Sequence, residues 1–373
     1  MGLSKFRLGD LIEPCEERNE NLLYGLNSVK GISILKKFIE TKADMEGVSL
    51  KPYFIVKPDD FAYVTVTSRN GGKITLAHNT SNETFICSSS YVVFRVKEKN
   101  SLLSDFLFMY FNRPEFDRYA RFCSWGSARE IFSFEEMCDI EITLPSVEIQ
   151  QKFVEIYRAM ILNSQSYERG LEDLKLCCDA YIENLRKQTP CETIGQYIEE
   201  TNLKNADKYG VEFIKGISIN KEFIETKADT NDLSSVGYKI VKNGEFSFNP
   251  NTARMGDKFS IALNNTDKDI LVSSIYPVFK TKDINPEYFM ANVNRSEFER
   301  KGWFFCDTSA RGSLSWDEFL NLTIPNANEK EQEIISNLYN AQTIRLKISE
   351  NLRAKIQQIC PILIRGAMRE GER

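Results

Sequence analysis

One stretch of this sequence occurs twice: "GISILKKFIETKAD" runs from Gly31 to Asp44, and "GISINKEFIETKAD" runs from Gly216 to Asp229. The identity extends upstream, because fifteen of the twenty-one positions from Tyr24 match those from Tyr209 at a constant offset of 185 residues. A period of this length is far beyond the roughly 20 to 50 residues of a solenoid repeat. The stretch therefore predicts two copies of a whole domain.

The repeat continues beyond this stretch to either side of one small change in offset. At the offset of 185, "TSRNGGKITLA" from Thr67 matches "TARMGDKFSIA" from Thr252, and "SSSYVVF" from Ser88 matches "SSIYPVF" from Ser273. At an offset of 182, "NRPEF" from Asn112 matches "NRSEF" from Asn294, and "SAR" from Ser127 matches "SAR" from Ser309. The chain is thus a tandem duplication covering nearly all of its 373 residues.

Composition limits the class of protein. Apolar residues make up 42% of the chain and charged residues 27%, and no apolar run approaches the roughly 20 residues that span a bilayer. The N-terminal residues lack the apolar region of a secretory signal, so we expect a soluble, cytoplasmic protein with no membrane partner. Nine cysteines without a C-x-x-C pair and a single histidine, His78, argue against a zinc site. His78 stands in a polar segment and is expected at the surface rather than as a catalytic base.

Each repeat changes character once, at a proline. Before Pro145 and Pro325, aromatic and β-branched stretches punctuated by turn residues predict short strands, with a helix near Leu102 to Tyr119. After the prolines, apolar residues recur in steps of three and four and predict a helix of about 38 residues, roughly 57 Å long. The apolar positions are Ile149, Phe153, Ile156, Met160, Tyr167, Leu171, Leu174, Cys178, Tyr181 and Leu185, and then Ile334, Leu338, Ala341, Ile348, Leu352, Ile356, Ile359 and Leu363.

The predicted fold class is mixed α/β (α+β) with a pseudo-two-fold internal repeat. A first domain is expected at 1–146, a central long helix at 147–188, a second domain at 189–326 and a C-terminal long helix at 327–373. The two helices are expected to bury their apolar stripes against each other as an antiparallel coiled coil. The alternative is that each helix packs back onto its own domain.

This order of domain, helix, domain and helix resembles the specificity subunit of a type I restriction-modification enzyme. The resemblance rests on the matched domain segments and on the helix openings "PSVEIQQ" from Pro145 and "PNANEKEQ" from Pro325. It implies two target-recognition domains that each read one half of a bipartite double-stranded DNA target, with the helices setting the gap. It also implies two methyltransferase subunits and two restriction-translocase subunits as partners. S-adenosylmethionine, ATP and Mg²⁺ would belong to those partners, so the chain itself is expected to be non-catalytic.

Two pairs of equivalent loops carry the candidate DNA contacts. Arginine can bind guanine or phosphate through its planar fork, lysine neutralises phosphate, and glycine permits a tight turn close to a ligand. The candidates are Thr67, Ser68, Arg69, Asn70, Lys73 and Arg129 in the first repeat, and Thr252, Arg254, Met255, Lys258 and Arg311 in the second. Each arginine has an alternative role, in which it stacks on aromatic residues of its own domain. Differences inside the loops, such as Asn70 against Met255, predict related but non-identical half-sites.

Other functions leave weaker marks on the sequence. A DNA amino-methyltransferase needs an Asn/Asp-Pro-Pro-aromatic loop and a glycine-rich cofactor turn, and neither motif is present. No metal-binding or catalytic residue is predicted. A net charge of −5 gives the chain no overall basic footprint, so a helical interaction scaffold or a DNA-mimicking inhibitor stays open as the alternative. In the duplicated stretch, Ile32, Ile34, Phe38 and Ile39, with Ile217, Ile219, Phe223 and Ile224, are expected to form a buried strand and turn, and Lys42 and Lys227 are weak phosphate candidates.

Overall fold

The computed structural model describes residues 2–67, 72–126, 129–226, 229, 233–251, 258–306 and 312–373. The chain divides into two compact units. The first comprises Met1–Ser166 with Ser349–Arg373, and the second comprises Tyr167–Ile348. Each unit therefore contains one copy of the duplicated stretch and a part of both long helices.

Short strands form most of the first unit. They are β1 (Ser4–Arg7), β2 (Ile12–Pro14), β3 (Lys30–Ile32), β4 (Phe38–Glu40), β5 (Phe54–Val56), β6 (Phe61–Val64), β7 (Leu76–His78), β8 (Phe85–Cys87), β9 (Tyr91–Val96) and β10 (Glu141–Leu144). The helices are α1 (Leu8–Leu11), α2 (Ser104–Phe111), α3 (Pro114–Phe122), α4 (Phe134–Cys138) and the long α5 (Val147–Gln188), which continues into the second unit.

An antiparallel sheet in the order β2-β9-β6-β7 lies at the centre of the first unit. Three two-stranded pairs, β1-β10, β3-β4 and β5-β8, accompany it. In the sheet Phe61 lies opposite both Phe94 and His78, and the Phe61 and Phe94 rings stack at 5.0 Å. This aromatic layer packs against Phe106 and Phe111 of α2 in one buried cluster, so burial of large apolar side chains holds the helices to the sheet.

The second unit has the same plan. Its strands are β11 (Cys191–Thr193), β12 (Ile198–Glu200), β13 (Lys215–Ile217), β14 (Phe223–Glu225), β15 (Lys239–Val241), β16 (Glu245–Asn249), β17 (Ser260–Leu263), β18 (Ile270–Val272), β19 (Val278–Thr281) and β20 (Thr323–Pro325). Its helices are α6 (Pro286–Val293), α7 (Ser296–Phe304), α8 (Trp316–Leu320) and the long α9 (Glu329–Gly371), which continues into the first unit. The sheet order β12-β19-β16-β17 and the pairs β11-β20, β13-β14 and β15-β18 repeat those of the first unit. The predicted tandem repeat of a mixed α/β domain is confirmed.

The helix expected from Leu102 to Tyr119 is in fact two helices. The backbone leaves the helical region at Arg113, and Pro114 occupies the first turn of α3, where its missing N–H costs no hydrogen bond. Short helices follow where the "SFEE" and "SWDE" segments predict caps. Ser133 Oγ accepts a hydrogen bond from Glu136 N at 3.1 Å, and Ser315 Oγ accepts one from Glu318 N at 3.2 Å.

Within the first unit, the beginning of α5 packs against the end of α9. Val154 and Tyr157 share a buried cluster with Cys360 and Leu363, and Lys152 Nζ lies 2.7 Å from Glu370 Oε1. Residue numbers rise along one helix as they fall along the other, so the two segments are antiparallel. Helix α9 passes through Pro361 without ending there.

Within the second unit, the end of α5 and the beginning of α9 also pack in antiparallel fashion. Ile182 and Leu185 share a buried cluster with Ile335, and the Arg345 guanidinium lies 5.0 Å from the centre of the Tyr167 ring. The predicted apolar stripe is partly wrong, because Ile156, Tyr181 and Ile334 are exposed while neighbouring residues are buried. The helices pack on the core of each unit as well as on each other, and this turns the buried face by about one residue.

None of the described helices is both long and apolar enough to cross a membrane. In the duplicated stretch, β3 pairs with β4 and β13 pairs with β14, as expected for a strand and turn. Ile34 and Ile219, which were expected to be buried, are exposed at the turn of each hairpin. They lie between the paired strands, where no strand covers them.

Candidate nucleic-acid interface

In the first unit the two loops predicted to contact DNA start from one small β-ladder. Ile131 pairs with Val66 on one side and with Trp125 on the other. Thr67 N donates to Glu130 O at 2.9 Å, and Ile131 N donates to Trp125 O at 2.9 Å. The loop that begins after Thr67 and the loop that begins at Gly126 are therefore anchored side by side, although about 60 residues separate them in the sequence.

The second unit anchors its loops in the same way. Asn251 pairs with Ser313, and Leu314 N donates to Pro250 O at 3.0 Å. By the repeat offsets, Asn251 corresponds to Val66 and Ser313 corresponds to Ile131. Different side chains make the same backbone pairing, so the arrangement belongs to the fold of both units.

Gly126 is the turn residue that opens the second loop of the first unit. Its φ is +136°, a conformation that L side chains rarely adopt, and a Cβ atom there would lie 2.2 Å from Arg129 O. A glycine is thus required for this turn. It brings the backbone close to Arg129, whose side chain is exposed to solvent.

The structure describes four of the predicted DNA ligands. Lys73, Lys258 and Arg129 are exposed, as a phosphate contact requires. Thr67 is buried instead, and its hydroxyl donates to Glu130 O at 3.2 Å, which fits an anchor for the loop better than a direct contact with DNA. The other predicted ligands, Ser68, Arg69, Asn70, Thr252, Arg254, Met255 and Arg311, lie outside the described residues, as does the phosphate candidate Lys227.

A buried lysine of the duplicated stretch lies under the first of these loops. Lys36 Nζ donates to Asp117 Oδ1 at 2.7 Å and to the carbonyl of Phe111, and Asp117 Oδ1 also accepts from Ile74 N at 3.2 Å. Burial lowers the pKa of Lys36, and the neighbouring Asp117 carboxylate opposes that effect. Analysis of the sequence missed this residue, although its recurrence as Lys221 in the second copy was a signal that could have identified it.

The equivalent lysine of the second unit is bonded similarly. Lys221 Nζ donates to Phe259 O at 3.0 Å and to a carboxylate oxygen of Glu299. Burial also lowers the pKa of Lys221, again against the effect of its carboxylate partner. Ile74 and Phe259 directly follow Lys73 and Lys258, so each buried lysine is connected to the residue next to an exposed one.

The sequence from residue 3 to residue 173 matches the family described as the type I restriction modification DNA specificity domain. The first half of the chain is such a specificity domain. The second unit repeats its strand order and its loop anchors, so the chain carries the specificity-domain fold twice. The resemblance inferred from the sequence is confirmed.

Solved structures agree on the fold. The type I restriction-modification S subunit from M. genitalium has a TM-score of 0.60 at 10% identity, with 98% of this chain and 96% of that chain covered. The HsdS subunit from Thermoanaerobacter tengcongensis has a TM-score of 0.38 at 15% identity, with 100% and 97% covered. No curated protein matches this sequence.

Exposed aromatic and basic residues border the loops of each specificity domain. Trp125 is 66% exposed beside the shared ladder, and Phe122 and Phe304 stand exposed at equivalent positions near the ends of α3 and α7. In the second domain, Arg300, Lys301 and Phe304 contribute to an open cavity of about 550 Å³. Cationic and aromatic side chains together can contact phosphates and bases.

His78 of the first specificity domain is buried, so its expected surface position is wrong. It ends β7, whose residues all face the core, and its ring stacks on Phe61 at 4.4 Å. Its Nε2 lies 3.1 Å from Asp59 Oδ1, and Nδ1 lies 3.3 Å from Asp105 Oδ1 as an ion-pair contact without hydrogen-bond alignment. Burial would lower the pKa of His78, but the two carboxylates outweigh it and raise the pKa. The second domain has Leu263 at this position.

The carboxylates around His78 have further partners. Lys99 Nζ lies 2.7 Å from Asp59 Oδ2, and Arg158 of α5 donates to Asp105 Oδ2 at 2.6 Å. Burial would raise the pKa of Asp59 and Asp105, but these bonds and those of His78 hold both pKa values below the usual range. The network joins the specificity domain to the first part of α5 and has the character of a structural ion-pair cluster. Over the described residues, no group of three or more His, Cys, Asp or Glu is placed to hold a metal ion.

Proposed function

We propose that this chain is the sequence-specific DNA-binding subunit of a type I restriction-modification complex, and that each unit reads one half of a bipartite target. The observation that carries the proposal is the repeated pairing of two candidate loops on one ladder, at Val66 and Ile131 and again at Asn251 and Ser313. Base readout needs several side chains held in fixed register, and two loops with a common anchor provide this.

Electrostatics divides the proposed roles among the loop residues. Lys73, Lys258 and Arg129 are exposed cations that would bind phosphates and set the position of each unit on the duplex. Arg69 and Arg254 would read base edges, because the arginine fork matches the two acceptors of guanine. The net charge of −5 is compatible with this division, since phosphate attraction depends on where the cations cluster.

We propose further that the chain is non-catalytic and acts with DNA, two methyltransferase subunits and two restriction-translocase subunits. S-adenosylmethionine, ATP and Mg²⁺ would then bind to those subunits. Support comes from the family description, which names DNA specificity rather than a reaction. The 42 residues of α5 and the 43 residues of α9, each about 63 to 65 Å long, would set the gap between half-sites.

The methylation motif tests the proposal directly. The full chain is purified with its methyltransferase subunits, and methylated positions are mapped on a DNA library for the wild type, Arg69→Ala and Arg254→Ala. We expect a two-part motif for the wild type, and in each variant the loss of about 1 to 3 kcal/mol of discrimination at one half-site only.

Arg7→Ala is a matched control, because Arg7 is an exposed arginine paired with Asp139 on β1. It should leave both half-sites unchanged. A uniform loss across all sequences in Arg69→Ala would assign that arginine to phosphate rather than to a base. A wild type without sequence-dependent methylation or binding would overturn the proposal and favour the interaction-scaffold alternative.

A further inference from the structure

We propose that Lys36 and Lys221 are positioning residues for DNA recognition, each fixing the backbone beside the exposed lysine that ends a recognition loop. The inference rests on the proposed function and adds the residues that hold the phosphate contacts in place. It also gives the duplicated stretch a role. The stretch would be a support for the loop, whereas the variable loop residues would do the reading.

In the first unit the support passes through a carboxylate. Lys36 Nζ and Ile74 N both donate to Asp117 Oδ1, at 2.7 and 3.2 Å. Ile74 is buried, and the residue before it, Lys73, is exposed. The lysine charge keeps the carboxylate ionised and aimed at Ile74 N, so the chain leaves the core at a fixed point directly before Lys73 reaches solvent.

In the second unit the support is direct. Lys221 Nζ donates to Phe259 O at 3.0 Å while pairing with Glu299. Phe259 is buried, and the residue before it, Lys258, is exposed. The carboxylate is one methylene longer than in the first unit, and the bonded backbone atom is a carbonyl rather than an N–H. Two different hydrogen-bond arrangements thus hold the equivalent residue.

The backbone at both lysines shows that the side chain is needed there. Lys36 has a φ of +57° and Lys221 a φ of +63°, a region that favours glycine or asparagine. Within the duplicated stretch the flanking positions differ between copies, with Leu35 against Asn220 and Lys37 against Glu222. Lysine is kept at the strained position in both copies. A turn alone would not require a buried cation, whereas the ion pair beneath the loop does.

The experiment measures half-site discrimination in the full chain purified with its methyltransferase subunits. The variant Lys36→Met/Asp117→Leu replaces the buried ion pair by apolar residues, an exchange that folds tolerate well, and removes the acceptor of Ile74 N. We expect about a tenfold loss of discrimination at the half-site of the first unit and no change at the other, the size of one weakened contact. Lys221→Met should give the opposite pattern.

Two further variants separate positioning from general stability. Asp117→Asn keeps an oxygen that can accept from Ile74 N and should retain discrimination, whereas Asp117→Leu should lose it. Lys30→Met removes the surface pair with Glu40 in the same hairpin and should have no effect on either half-site. Thermal unfolding is recorded for each protein, so that a folded variant can be compared with the wild type.

The outcomes distinguish this inference from the proposed function. Unchanged discrimination in folded Lys36→Met/Asp117→Leu, or an equal loss at both half-sites, would overturn the positioning role. The same holds if Asp117→Asn and Asp117→Leu behave alike. A wild type that shows no two-part motif would instead remove the proposed function itself.

Discussion

His78 and Lys36 are buried cations of the first unit, and each lies against carboxylates. Their environments act in opposite directions on the pKa. For Lys36, burial dominates and the pKa is lowered, whereas for His78 two carboxylates outweigh burial and the pKa is raised. The difference follows from the number of partners, because one carboxylate compensates desolvation less completely than two.

The raised pKa of His78 predicts a pH dependence of stability. A group whose pKa is higher in the folded state contributes stability below its unfolded value of about 6.5, and that contribution is lost as the pH rises through the folded value. We therefore expect His78→Leu, which copies Leu263 of the second unit, to be less stable than the wild type at pH 6. The deficit should shrink toward pH 8.5.

Thermal unfolding between pH 5.5 and 8.5 measures this difference. Each tenfold change in proton affinity corresponds to about 1.4 kcal/mol. Asp59 and Asp105 keep Lys99 and Arg158 as partners in the variant, so their own titration at acid pH should alter little. A deficit that stays constant over this range would show that His78 contributes through packing on Phe61 alone.

At the scale of elements, a buried glutamine clamps the start of each long helix. Gln150 accepts from Leu103 N at 3.0 Å and donates to Ser101 O and Pro145 O at 2.8 and 2.9 Å. Gln332 accepts from Asn285 N at 2.8 Å and donates to Ala327 O at 2.9 Å. The glutamines of the two helix openings thus join α5 and α9 to the entrances of α2 and α6.

Substituting either glutamine should therefore weaken its own unit. Gln150→Leu leaves buried backbone groups without partners, at a cost of about 1 to 3 kcal/mol each, and we expect a loss of about 2 to 4 kcal/mol in unfolding free energy. Denaturant unfolding measures the change. Gln151→Ala is the control, because Gln151 bonds only to Glu155 one turn along the helix in the described contacts and should cost about 0.5 kcal/mol or less. Equal losses in the two variants would contradict the clamp.

For the whole molecule, the gap between half-sites depends on helix length if the helices act as a ruler. Removing one heptad from α5 together with the facing heptad of α9 shortens both helices by roughly 10 Å. We expect the preferred gap to fall by about three base pairs, since ten base pairs span about 34 Å. Mapping the methylation motif of the shortened protein measures the gap. An unchanged gap would remove the ruler from the proposed function, while half-site recognition could remain.

Repetition made much of the fold predictable. The offset of 185 residues between the two copies of "GISI" identified two domains, and turn residues and prolines marked where strands and helices change. Stacking of two periodicities was harder to interpret. Ile156 was expected in the helix interface because of its spacing, but the helix packs on two surfaces at once and buries Val154 and Tyr157 instead. Periodicity gives the presence of a buried face and does not fix its direction.

The sequence by itself determined the duplication, the α/β class, the resemblance to DNA specificity subunits and the loops proposed to contact DNA, because these are local patterns or direct identities. The tertiary structure decided which distant residues meet. Only folding brings Val66 to Ile131, His78 between Asp59 and Asp105, and Lys36 beneath Ile74 through Asp117. The physical reason is that burial and ion pairing depend on three-dimensional proximity, which the order of residues along the chain does not express.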